Sequence, residues 1–186
     1  CKSLTNVSLP SSVNNIGSAF WNCESLESIK IPEDVTYISP WCFENCTALA
    51  DIELPIGLDI IANGAFYNCK SLRSINLPVS LTQIESSAFA NCTTLTNIKL
   101  PTKVTTIGEY AFQGCKALKT INIPTGINEI KDGTFADCES LTSISLPNKV
   151  TNIGRNAFSN CSTLQTVTMP NGVTSIGNRA FARCTS

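Results

Sequence analysis

A cysteine returns every 23 residues along this chain, at Cys23, Cys46, Cys69, Cys92, Cys115, Cys138, Cys161 and Cys184. A fixed period in the range of about 20–50 residues means that each copy is one structural unit stacked on the next. Cys1 precedes Cys23 by 22, so the first copy is one residue short. The missing residue falls between Ile16 and Phe20, which span four positions where Ile107 and Phe112 span five. Two other columns do not vary at all. Leu fills one in every copy from Leu4 to Leu164, and Phe fills another from Phe20 to Phe181. Pro follows a short apolar alternation in every copy, from Pro10 to Pro170. The copies begin at Cys1, Cys23, Cys46, Cys69, Cys92, Cys115, Cys138 and Cys161, and residues 1–186 read as a single domain.

Within a copy the apolar spacing changes twice. Ile98-x-Leu100 alternates at period 2, the mark of a short strand with one face buried. Pro101 stops that strand because it has no N–H to give a ladder. Val104-x-x-Ile107 keeps apolar residues on the opposite wall, and Gly108 offers a turn. Ala111-Phe112-x-x-Cys115-x-x-Leu118 recurs at threes, which predicts a 3₁₀ or single α turn. No single copy can bury these inward residues alone, so the copies must stack. The expected fold is a solenoid of about eight 23-residue coils. It carries a parallel β-ladder on one face, with short strands, turns and 3₁₀ or single helical turns on the other. At ~4.8 Å per strand the rod is on the order of 40 Å long. Helix-pair repeats need about 33–34 residues and are excluded by length.

A coil of 23 residues with an L-x-x-I-x-L strand has the pattern of a leucine-rich repeat. The fuller run L-x-x-I-x-L-P-x-x-V-x-x-I-G-x-x-A-F-x-x-C, seen cleanly from Leu95 to Cys115, resembles the BspA-like class of these repeats. Departures are few: Cys42 and Thr134 stand for Ala, and Ser39, Ala62, Glu85 and Lys131 stand for Gly. The resemblance implies an extracellular or surface-attached protein of a bacterium or mucosal protist, associated with adhesion to host matrix or to neighbouring cells. The expected function is therefore a non-catalytic, adhesin-like module that contacts a protein or glycan partner. The alternative is a structural spacer with no ligand of its own.

Composition agrees with a non-enzymatic reading. His is absent and charged residues make up 15% of the chain, against the ~25% usual in soluble domains. Nucleophile and metal chemistries thereby lose their commonest residue, so no catalytic residue, cofactor or metal is expected. The net charge of −1 removes the general electrostatic case for nucleic acid. No apolar run exceeds three residues, so no membrane insertion is expected in this segment. The cysteines leave three possibilities. Equivalent Cα atoms in adjacent coils lie within disulfide range, yet equivalent side chains point the same way, which favours a ladder of buried thiols. Inter-coil disulfides and a metal site are the alternatives. N-glycosylation sequons occur at Asn6, Asn45, Asn91 and Asn160.

Two surfaces are candidates for a partner. Trp21 and Tyr67 follow Phe directly, Trp41 and Tyr110 lie two before it, and Tyr37 lies between Val35 and Ile38. Trp21, Tyr37, Trp41 and Tyr67 are expected to form a lateral aromatic patch over the first three copies, since aromatic anchors dominate interfaces. The alternative is the outer face of the strand ladder, which carries Lys30, Asp51, Glu53, Asn76, Asn97 and Lys99 among small polar residues. Charge is polarised along the chain: residues 1–93 carry four basic and nine acidic groups, and residues 94–186 carry nine basic and five acidic. Neither end shows the polar cap that solenoids use to shield terminal core residues. The chain is therefore expected to be part of a longer protein, with end-to-end self-association possible through the open coils.

Overall fold

The computed structural model describes residues 1–185, and its backbone winds as one solenoid. The front ladder contains Asn6–Val7, Ser28–Lys30, Asp51–Glu53, Ser74–Ile75, Asn97–Ile98, Thr120–Ile121, Ser143–Ser145 and Thr166–Thr168. All pairings are parallel, and residues of the same column face each other, as in Ile29 with Ile52 and Ile144 with Val167. Hydrogen bonding groups these strands as three, three and two. A rear ladder contains Tyr37–Ile38, Ile60–Ile61, Gln83–Ile84 and Thr106–Ile107, followed by Glu129–Ile130, Asn152–Ile153 and Ser175–Ile176. It pairs in parallel as four and three. In both ladders the Ile column points inward and its neighbour outward, which is the period-2 reading of a half-buried strand.

The segment spaced at threes is not helical. Among the described residues it contains no α or 3₁₀ helix, and the expected helical turn is corrected to a third ladder of single tight turns bonded from coil to coil. The second coil shows why. The N–H groups of Trp41, Phe43 and Asn45 donate forward to the carbonyls of Asn63, Ala65 and Tyr67 at 2.8–2.9 Å. Those of Cys42, Glu44 and Cys46 instead donate three residues back, to Ser39, Trp41 and Phe43. A continuous 3₁₀ or α helix would send every N–H along its own segment. Here alternate ones are committed to the next coil, and two of these three donors sit in the left-handed region. Trp41 and Asn45 do so, at φ 58° and 59°, and the Asn45 column repeats this at Asn68, Asn91, Gly114, Asp137 and Asn160. Asn and Asp tolerate that region better than other non-Gly residues.

The interior is a set of columns. Phe43, Phe66, Phe89, Phe112, Phe135 and Phe158 are fully buried. Successive rings from Phe20 to Phe181 lie parallel, with centroids 5.3–5.6 Å apart. Offset stacking of this kind adds about 0.5–1.5 kcal/mol per pair beyond area burial. The Cys column lies beside it. Each thiol from Cys46 to Cys184 donates to the carbonyl of the Phe one coil back, at 3.1–3.3 Å. That carbonyl also accepts the N–H of its own coil's Cys, as Phe43 does from Cys46. Both lone pairs are thus used, by a donor small and apolar enough for a dry core. Thr134, in the Ala column, is fully buried and donates its hydroxyl to the Lys131 carbonyl at 2.9 Å.

Gly108 opens the turn expected of it, its carbonyl accepting from the Ala111 N–H at 3.3 Å. A Cβ there would lie 2.3 Å from the Ser86 nitrogen and 2.4 Å from the Glu85 carbonyl carbon, so close approach of neighbouring coils, not a left-handed φ, selects glycine. No helix among the described residues is long and apolar enough to cross a membrane.

Candidate interaction surface

The turn ladder places side chains of adjacent coils side by side on one flank. Trp21 is 54% exposed and Trp41 42%, and with Ser18 and Glu44 they line an open groove. Neither ring is loose. Trp21 Nε1–H donates to Glu44 Oε2 at 2.7 Å, and Trp41 meets the half-buried Tyr67 edge to face at 6.2 Å. Trp41 also lies flat over the next coil, where a Cβ on Gly64 would come within 2.0 Å of its ring. Tyr110 repeats the arrangement over Gly133. Bulky residues rarely adopt positive φ; Trp41 and Tyr110 do so where a glycine of the next coil makes room for the ring.

Of the four aromatic residues singled out by sequence, the structure joins Trp21, Trp41 and Tyr67. Tyr37 stands apart on the outer face of the rear ladder, where burial and the Glu85 charge raise its hydroxyl pKa. The alternative strand face is also formed. Lys30, Asp51, Glu53, Asn97 and Lys99 are all exposed along it, and Lys30 pairs with Glu53 at 2.9 Å. A shallow groove over its first three coils is lined by Asn6, Ser28, Lys30, Asp51 and Glu53 together with the turn residue Glu33. Exposed pairs of this kind contribute little to stability.

Two residues escaped the sequence reading. Ile56 and Val79 follow Pro in adjacent coils and are each 80% exposed. Their column otherwise holds Ser11, Glu33, Thr102, Thr125, Asn148 and Asn171, so a polar column interrupted twice by β-branched residues was the available signal.

The cysteines stand as free thiols. Burial pushes Cys42, Cys46, Cys92 and Cys161 up to about 12, and Cys69, Cys115 and Cys138 well above the ordinary value. A thiol held neutral in this way is a poor nucleophile and metal ligand. Among the described residues no group of His, Cys, Asp and Glu is arranged to hold a metal ion. At the sequons, Asn45 Nδ2–H donates to Asn22 Oδ1 at 2.7 Å and Asn160 Nδ2–H to Asp137 Oδ1 at 2.6 Å. Those amides already bridge neighbouring coils, whereas Asn6 is exposed on the front ladder.

Stacked parallel ladders around Phe and Leu columns, with polar outer columns, define a parallel solenoid of leucine-rich repeats. The chain belongs to the BspA type leucine rich repeat region family, whose pattern matches residues 1–96 and 59–186 in six copies. It is similar to a leucine-rich repeat protein of Bacteroides ovatus, at 33% identity and TM-score 0.82 over 87% of this chain. It spans 42% of that protein. A leucine-rich repeat protein of T. pallidum is 35% identical, at TM-score 0.77, over 84% of this chain and 76% of its own length. A leucine rich cell surface protein of Faecalibacterium prausnitzii is 27% identical, at TM-score 0.61, over 90% of this chain and 60% of its own. No curated protein matches the chain.

Proposed function

We propose that this chain is a non-catalytic binding module of a cell-surface or secreted protein, contacting a protein or glycan partner through the flank built by Trp21, Trp41 and Tyr67. One observation carries this reading: two half-exposed indoles in adjacent coils are held in place before any ligand arrives, by Glu44 and by the Gly64 backbone. Pre-fixed aromatic rings lose little entropy on binding and supply most of the energy at interfaces. The similarity to a leucine rich cell surface protein supports the location.

The test is a binding screen of the purified chain against host matrix proteins and glycans, followed by Trp21→Ser, Trp41→Ser and Tyr67→Ser together. That variant should bind at least ~30-fold more weakly while keeping its circular dichroism. Replacing Lys30, Glu53 and Lys99 should alter mainly the salt dependence. The opposite pattern would move the site to the front face. The second reading, a spacer without a ligand, is favoured by the turn ladder, whose bonds pass from coil to coil along the rod, and it expects no partner from the screen.

A further inference from the structure

The front strands and the turns after them form one surface, since strand and turn residues line the same groove. On that surface charge is segregated. Coils two and three present Glu33, Asp34, Asp51 and Glu53, all exposed, against the single cation Lys30, itself paired with Glu53. Coils five to seven present exposed Lys99, Lys103 and Lys149 and no acidic group. Between the two lies Val79 of coil four, next to Ile56 of coil three, each 80% exposed.

A face that is acidic on one side of an apolar point and basic on the other is complementary to itself turned end for end. We propose that this face pairs with a second copy of the chain, antiparallel, about a two-fold axis passing near Val79. The contact is isologous: about coil four, coil three faces coil five, so Asp51 of each copy faces the Lys99 region of the other, Asp34 lies one strand spacing from Lys103, and Val79 meets its own equivalent. A parallel arrangement would set like charges together, which disfavours it. Eight strands at ~4.8 Å give a face about 38 Å long; at a width of about 20 Å it offers roughly the 800 Å² per partner of a standard interface. Salt must weaken a pairing in which exposed charges set the register.

The experiment is sedimentation of the 186-residue chain across the micromolar range, in a Cys1→Ser background that removes its exposed thiol. A dimer that dissociates on dilution and at high salt is expected, and Val79→Glu should raise its dissociation constant at least tenfold. The double variants Lys99→Glu/Lys103→Glu and Asp34→Lys/Asp51→Lys should each be monomeric alone and pair when mixed. Val79→Cys should cross-link under mild oxidation, and Ser145→Cys should not. A wild-type chain that stays monomeric throughout overturns the proposal. So does failure of the two charge variants to pair, or cross-linking through Ser145→Cys but not Val79→Cys. None of these residues belongs to the Trp21–Trp41 flank, so ligand binding there is unaffected by either result.

Discussion

From Cys46 to Cys161 each repeat cysteine answers a need of its neighbour: the Phe carbonyl one coil back has a second lone pair facing a dry interior, and the thiol satisfies it. The same burial ties stability to alkali. Cys42, Cys46, Cys92 and Cys161 are held neutral up to about 12 in the folded chain, while unfolded thiols ionise near ~8.5. The folded value is raised, so the stabilisation is fully present below the unfolded value and is lost as pH climbs towards the folded one. Between those limits each such thiol lowers the unfolding free energy by up to ~1.4 kcal/mol per pH unit. Urea midpoints should therefore be level from about pH 6 to pH 8 and fall steeply above about pH 9. A flat profile to about pH 11 would mean that the thiols are not buried as described.

At the scale of the element, the turn ladder is where sequence and structure part company. Residues at every third position suit a helical turn and also suit successive tight turns broken by left-handed residues; apolar spacing alone does not separate them. What separates them is the column before Cys, filled by Asn22, Asn45, Asn68, Asn91, Gly114, Asp137 and Asn160, residue types that favour positive φ, with Arg183 the one departure. The front strands were legible because period 2 and a following Pro have one reading. Trp21, Trp41 and Tyr67 were legible as a patch because their columns flank one buried Phe. Tyr37 was not separable from them, since its distance around the coil depends on the turn that was misread. Ile56 and Val79 were missed because an apolar residue in a repeat is assigned to the core by default. Gly64 tests the ladder directly. Gly64→Ala places a methyl against the Trp41 ring at φ 59° and should destabilise by about 1–3 kcal/mol. Adding Trp41→Ala should recover the steric part and leave the backbone part. Equal losses in the single and double variants, measured by chemical denaturation, would argue that the ring does not rest on Gly64.

At the scale of the whole molecule, no bond among the described residues closes one end of the rod on the other. Every ladder, the Phe stack and the thiol bonds join a coil only to its neighbours, so stability is close to a sum of coil terms and nearest-neighbour terms. All three backbone ladders run along the rod. A chain pulled from its two ends therefore loads its coils in series, and the coil with the weakest neighbour contacts yields first. Each peeled coil releases 23 residues, or about 75 Å of contour. Single-molecule stretching should show a train of events at about that spacing, where a globular domain of the same length would give way once. In the proposed role of a surface binding module, that would be a brake: the rod lengthens in steps under tension and rewinds, coil by coil, when the load drops.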